Sequence, residues 1–358
     1  MLTAAKNELL TRVGPGTAMG ELLRRYWMPV GGAYEFDTTS IKPIRLMGED
    51  LVLYKDLGGK YGLVDRHCPH RRADLSYGWV ESNGIRCSYH GWLIDETGRC
   101  IEQPYEDTAN AKPAKDNCGI KAYPVREIAG LLFAYMGPQP VPEFPVWEPF
   151  TWDNGFRERV REGQPEDSRY WTVGRLALWP NAFYLGSHFE WRVPIDDENT
   201  LSIAWFFMRV PKGREPYVQE RIPTWISPIK DTDGRWISSH VINQDIAAWV
   251  GQGRIADRTK ENLRSSDVGI SMMRQRFFAE MEAVAMGRDP MGVIRDPAVA
   301  KNVQLPNMMR EINTEGLPLE EMTKHPLLGP RLEAFRFHKG QPPDVRRDFE
   351  NAMGIGRN

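Results

Sequence analysis

Asp65-Arg-His-Cys68-Pro-His70-Arg-Arg and Gly84-Ile-Arg-Cys87-Ser-Tyr-His90-Gly-Trp92 decide how this chain reads. Two short segments, Cys68-Pro-His70 and Cys87-Ser-Tyr-His90, each present one thiol and one imidazole, with 16 residues between them. Two metal centres accept such a donor set. Tetrahedral zinc takes two Cys and two His, and so does a [2Fe–2S] cluster in which two Cys hold one iron and two His the other. Zinc sites usually pair Cys with Cys and His with His, whereas each segment here mixes them, which favours the cluster. The imidazoles matter chemically: such centres run at roughly −150 to +300 mV, against about −400 mV for all-thiolate plant-type clusters. At about 59 mV per decade for one electron, even the low end is a shift of around four decades. Pro69 stiffens the first segment and Gly91 follows the second. His67, beside Cys68, points the other way along an extended chain and reads as structural or solvent-facing.

Composition bounds the rest. A chain of 358 residues is long enough for two cores, and a net charge of −2 with 26% charged residues gives no basic field for nucleic acid or anionic lipid. Beyond Cys68 and Cys87, Cys100 and Cys118 read as free thiols of a reducing compartment. The start Met1-Leu-Thr-Ala-Ala-Lys shows no secretory leader, and no apolar run is long enough to span a bilayer, so a cytoplasmic protein is expected. Twelve Trp and 14 Phe suit a core and an apolar pocket.

Working outward from the cysteines, Met19, Leu22, Leu23 and Tyr26 recur at helical spacing and predict a short helix over 17–27 that Pro29 ends. Apolar runs Ile44–Met47, Leu51–Lys55 and Tyr61–Val64, split by glycine turns, predict a β-meander feeding the first cysteine segment, with Leu131–Met136 as a closing strand. Residues 137–149 carry five prolines in thirteen positions, a stiff connector at the domain boundary. Trp171–Leu178 and Leu201–Met208 read as strands, the latter central and covered on both faces. Residues 268–286 read as a helix, capped by Asp267 and stopped by Gly287 and Pro290, with Ile270, Met273, Phe277, Met281 and Val284 as a core stripe. The expected layout is a helical segment 1–27, a cluster domain 28–137, a connector 138–149, an α+β domain 150–335 and a peripheral tail 336–358. Gly251-Gln-Gly253 imitates half of a dinucleotide fingerprint but follows no convincing strand.

Residues 65–79 and 84–92 resemble the Rieske domain of aromatic ring-hydroxylating oxygenases, the Rieske non-haem iron oxygenase α-subunits. The openings Asn7–Thr17 and Gly20–Trp27 are similar to the phthalate 4,5-dioxygenase-like branch, as are Pro194–Thr200, Gln244-Asp245 and Gly251–Glu261 in the second half. The resemblance covers most of residues 1–300. It implies an α+β fold: an N-terminal all-β Rieske [2Fe–2S] domain, with Cys68, His70, Cys87 and His90 on the cluster, and a C-terminal helix-grip (START-like) antiparallel-sheet domain. It implies an oxidoreductase that accepts electrons from a flavin/iron–sulfur reductase or ferredoxin using NAD(P)H. The chemistry implied is O2-dependent hydroxylation or demethylation of an aromatic or related apolar substrate, in a homotrimer or a hetero-oligomer with an intact homologue.

Such oxygenases hold a second metal, a mononuclear Fe(II) on two His and one carboxylate with open positions for O2. By resemblance Asp245 matches the carboxylate. The family's histidine pair should precede Trp171, yet no histidine lies between His90 and His188, and a block of several dozen residues is missing there. His188 and His240 are the candidates for a rebuilt triad with Asp245; as bland residues, His188 is a pocket or strand histidine and His240 a surface one. Two functions stay open: an oxygenase subunit, or an electron-transfer or structural subunit whose mononuclear iron site is degenerate.

Overall fold

A computed structural model of the chain describes residues 1–105, 118–159, 176–238, 241–307, 310–338 and 340–356. Its contacts divide into two units, Met1–Pro142 with Val193–Thr200 and Asp257–Val293, and Glu143–Arg192 with Leu201–Ala256 and Ile294–Asn358. The division falls inside the proline-rich stretch.

In the first unit, Thr17 accepts the Gly20 amide at 3.2 Å and starts helix Ala18–Leu23, which buries Met19, Leu22 and Leu23. A hydroxyl cap satisfies one of the amides that a helix start leaves unpaired. Arg24 then turns inward, donating to the Val13 and Met47 carbonyls and pairing with Glu49 at 2.9 Å. The predicted meander is present. Strands Ile41–Leu46, Glu49–Lys55 and Tyr61–Asp65 pair antiparallel in order, and Ala122–Tyr123 extends the sheet. A second sheet runs Trp79–Glu81, Gly84–Arg86, Leu93–Ile94, Cys100–Glu102 in sequence order. Leu131–Tyr135 pairs with Trp27–Gly32, whose register shifts between Pro29 and Gly31, where proline supplies no ladder donor.

Helix Val268–Ala285 forms as the apolar spacing predicts, and packs on Ala18–Leu23 in this first unit, away from the domain its sequence position suggests. Its stripe is only half right. Met281 and Val284 are buried, whereas Ile270 and Met273 are exposed. Asp267 precedes the helix without capping it; its carboxylate accepts the Arg264 amide instead.

The second unit is a five-stranded sheet ordered Gly155–Arg159, Thr200–Arg209, His188–Pro194, Ala182–Tyr184, Leu176–Leu178. Strand Thr200–Arg209 is interior, as its continuous apolar run requires. Alternation along it sends Ala204, Phe206 and Met208 against Leu332, Phe335 and Phe349. Trp205 and Phe207 join an aromatic layer with Trp147, Phe150, Phe189 and Trp191 on the other face. Of the strand expected at Trp171–Leu178, residues 171–175 lie outside the described residues. The stretch after 335 is no peripheral tail: helix Pro343–Met353 buries Val345, Phe349, Ala352 and Met353 in this core. Its polar composition describes the outer face only. The whole is α+β, an all-β cluster domain and a mixed sheet-and-helix domain.

Candidate iron–sulfur site

The two cysteine segments are built alike. The Cys68 amide donates to the Ala73 carbonyl at 2.9 Å and the Cys68 carbonyl accepts the Arg72 amide at 3.0 Å. The Cys87 amide donates to the Trp92 carbonyl at 2.9 Å and the Cys87 carbonyl accepts the Gly91 amide at 3.0 Å. Each loop therefore closes on the fourth and fifth residues after its cysteine. The fourth residue is left-handed in both, Arg72 at φ 60° and Gly91 at φ 73°. Such a turn reverses the chain tightly enough for one loop to present a thiol inward and an imidazole outward.

Burial follows that division. Cys68 and Cys87 are 1% and 2% exposed in an apolar cluster with Val52, Val64, Leu75, Ile85 and Ile94, while His70 is exposed and His90 half-buried. The imidazoles meet edge to face at 4.5 Å, and His70 lies flat on the buried Trp92 ring at 4.6 Å. Charge straps the frame: Arg66 pairs with Asp74 at 2.7 Å across the first loop, and Arg86 donates to the Gly91 carbonyl at 2.6 Å while pairing with Glu81 and Glu102. His67 is half-buried near Asp65 and takes no part in the pair of rings. Burial pushes the Cys68 thiol up to about 12, and burial with the neighbouring His70 and Arg71 charges holds His90 below the ordinary imidazole value. A neutral imidazole is the form a metal takes, and a thiol releases its proton when a metal binds.

The donor chemistry fits a [2Fe–2S] cluster. Two buried sulfurs face one way and two nitrogen donors the other, each loop contributing one of each. Among the described residues no three His, Cys, Asp or Glu side chains gather as ligands for one ion.

The Rieske [2Fe-2S] domain family matches residues 26–124, and the family described as LigXa C-terminal domain like matches residues 229–307. The 5,5'-dehydrodivanillate O-demethylase oxygenase subunit of Sphingobium sp. strain SYK-6 is 50% identical over 418 aligned positions, spanning 100% of this chain and 98% of that protein. The chain is a Rieske oxygenase subunit. The phenoxybenzoate dioxygenase subunit alpha of Ectopseudomonas oleovorans is 30% identical over 79% of this oxygenase subunit and 87% of its own length. The phthalate 4,5-dioxygenase oxygenase subunit of Pseudomonas putida is 44% identical over 42% of this chain and 35% of its own length. In fold, the chain superposes on the NdmA QL mutant with theobromine of Pseudomonas putida CBB5 with a TM-score of 0.50, at 18% identity, covering 75% of this chain and 94% of that one.

The alignment with the O-demethylase subunit bears on the missing block. Its 418 positions against the 358 residues of this oxygenase subunit leave at least 60 with no residue here. The residues proposed for a second iron are scattered in kind. Asp245 is exposed on helix Val241–Gly251. His188 is 4% exposed, stacked on Phe206 at 4.7 Å, with its Nε2 3.2 Å from Glu190. His240 lies outside the described residues.

Sequence reading missed Glu190. Burial pushes its carboxyl up, but the His188 hydrogen bond and then Arg192, 2.6 Å away, outweigh that and hold it below the ordinary carboxylate value. Its signal was available: residues two apart on a strand share a face, so His188-Phe-Glu190-Trp-Arg192 places imidazole, carboxylate and guanidinium in one row. The stacking role of Trp92 was also missed. The segment quotes it, but no spacing rule says which ring it covers.

Among the described residues no helix is long and apolar enough to cross a membrane.

Proposed function

We propose that this oxygenase subunit holds a Rieske [2Fe–2S] cluster on Cys68, Cys87, His70 and His90 and takes single electrons there from a reductase or ferredoxin drawing on NAD(P)H. The observation that carries the assignment is the matched construction of the two loops, with sulfurs buried and imidazoles outward. Bound there, the cluster supplies reversible one-electron redox chemistry near the biological midrange. The protein does the rest. Trp92 fixes the plane of His70, Arg86 pins the second loop through the Gly91 carbonyl, and the apolar packing around the thiols keeps water from the sulfur side. The exposed edge of His70 is where an electron donor comes close.

The substrate class is an aromatic methyl ether or a related oxygen-substituted arene. Support comes from the 50% identity, along the whole chain, to a subunit named for O-demethylation of 5,5'-dehydrodivanillate, and from the aromatic layer of the second unit. The working form is cytoplasmic and oligomeric, a homotrimer or a hetero-oligomer with an intact homologue. Exposed Val268, Ile270, Met272 and Met273 on one helix favour association.

Replacing His70 with Cys tests the cluster assignment. The midpoint potential should fall towards the all-thiolate range and the visible spectrum should change. A folded, loaded variant with an unshifted potential overturns it. Sedimentation equilibrium tests the assembly, and a clean monomer removes it.

A further inference from the structure

We infer that Gln103 sets the reduction potential of the iron–sulfur centre: its buried side-chain amide holds its N–H end toward the sulfur side and raises that potential. The inference rests on the cluster assignment above and deepens it. Strand register places the residue. Arg86 lies opposite Leu93, and Leu93 opposite Glu102, so one step further along brings Cys87, Trp92 and Gln103 into line. Two contacts bracket that line. The Cys87 amide donates to the Trp92 carbonyl at 2.9 Å, and a Cβ on Gly91 would meet the Pro104 ring at 3.3 Å. Residues directly opposite share a side of a sheet, and successive ones alternate. Arg86 and Glu102 accordingly pair at 2.6 Å, while Cys87, Trp92 and Gln103 turn the other way and are 2%, 7% and 0% exposed.

The side chain is polar where packing asks for nothing polar. Gln103 Nε2 donates to the Cys100 sulfur at 3.5 Å, and that thiol donates to the Glu102 carbonyl at 3.4 Å. Among the described residues the Gln103 Oε1 meets no donor. A leucine or methionine would fill the same space without burying an unpaired oxygen, so packing does not account for an amide here. Its orientation does. Cys100 is 3% exposed and belongs to the apolar cluster that holds Cys68 and Cys87. The N–H end of the amide, its positive end, therefore points into the thiol-bearing cluster. Reduction adds one negative charge to the iron–sulfur centre, and a fixed positive dipole end in surroundings of low polarity favours that charge. Cys100, donating its own proton to Glu102 and accepting from Gln103, keeps the amide from turning its oxygen inward.

The test is a redox titration of the cluster-loaded full chain, followed by the EPR signal of the reduced centre, in the parent, Gln103→Met and Gln103→Leu. Both variants keep the bulk and lose the dipole. The expected result is a fall in potential equivalent to about threefold in the reduction equilibrium, roughly 30 mV at about 59 mV per decade. Labile sulfide per chain and the form of the Rieske signal should stay as in the parent. An unshifted or raised potential in a loaded variant overturns the inference, and a lowered melting temperature alongside it would mark Gln103 as a packing residue only. Loss of the cluster in both variants overturns it as well, because a group that only sets the potential leaves cluster binding intact. Absence of labile sulfide and of a Rieske signal in the parent is a different failure, that of the cluster assignment itself.

Discussion

Arg72 and Gly91 occupy equivalent places in the two cluster loops, both left-handed, and a reciprocal pair of substitutions separates backbone strain from side-chain contact. A left-handed conformation costs a non-glycine residue about 1–2 kcal/mol. For Gly91→Ala a further term appears, because the new Cβ would stand 3.3 Å from the Pro104 ring, which is fixed to its own backbone and has to shift. The gain opposing these is the smaller conformational entropy of the unfolded alanine chain, about 0.4–1 kcal/mol. The net expectation for Gly91→Ala is a loss of about 1–2 kcal/mol, or a fall of roughly 2–8 °C in melting temperature for a unit of this size. Arg72→Gly removes the same strain but gives up unfolded-state restriction and a pair with Asp65 at 3.8 Å. An exposed pair of that kind contributes about 0–1 kcal/mol, so the sum lies near zero. Urea unfolding of the cluster-loaded protein, followed by loss of cluster absorbance, reads both variants. Equal stability of Gly91→Ala and the parent would refute the strain argument, as would a large loss in Arg72→Gly.

The C-terminal helix offers a second test. Phe349 is fully buried, with ring neighbours Phe156 at 5.3 Å and Phe335 at 5.5 Å, so Phe349→Ala should cost about 3–5 kcal/mol of second-unit stability. A loss below about 1 kcal/mol in thermal unfolding would restore the reading of a peripheral tail. Acid stability checks the buried row. With its folded pKa held below the ordinary 4.5, Glu190 contributes stability that is present above pH 4.5 and drains away as the pH falls below it. Urea midpoints measured downward from pH 5 should decline more steeply in the parent than in Glu190→Gln, and parallel curves would show that the row is not energetically coupled.

Much of the fold was open to reading because turn signals and alternation are local quantities. Gly48 and the Gly58-Gly59 pair divide three strands that pair in sequence order, so no long-range information was needed. Where the reading failed, the failure had a partner in it. Ile270 and Met273 obey helical spacing as well as Met281 does, yet spacing says which residues share a face and not how far the covering element extends. The C-terminal helix is a different miss. Val345, Phe349, Ala352 and Met353 fall at i, i+4, i+7 and i+8, Pro343 sits where a first turn tolerates it, and Gly354 at φ 75° closes the end. The charged residues between them dominated the composition and hid an ordinary amphipathic pattern.

The two metal questions were legible to different degrees because one is about position and the other about inventory. Cys68, His70, Cys87 and His90 could be paired from sequence since each loop closes locally, over four or five residues, and carries its own donors. What sequence could not show is the frame: Trp92 under His70, and Arg86 reaching both Gly91 and Glu102, are contacts set by how the strands Gly84–Arg86, Leu93–Ile94 and Cys100–Glu102 line up. For a second iron the limiting quantity is the number of uncommitted imidazoles, and that number is bounded before any folding. The structure places His325 at a helix start and His188 beside Glu190. A missing ligand is visible in a sequence in a way that a misplaced one never is.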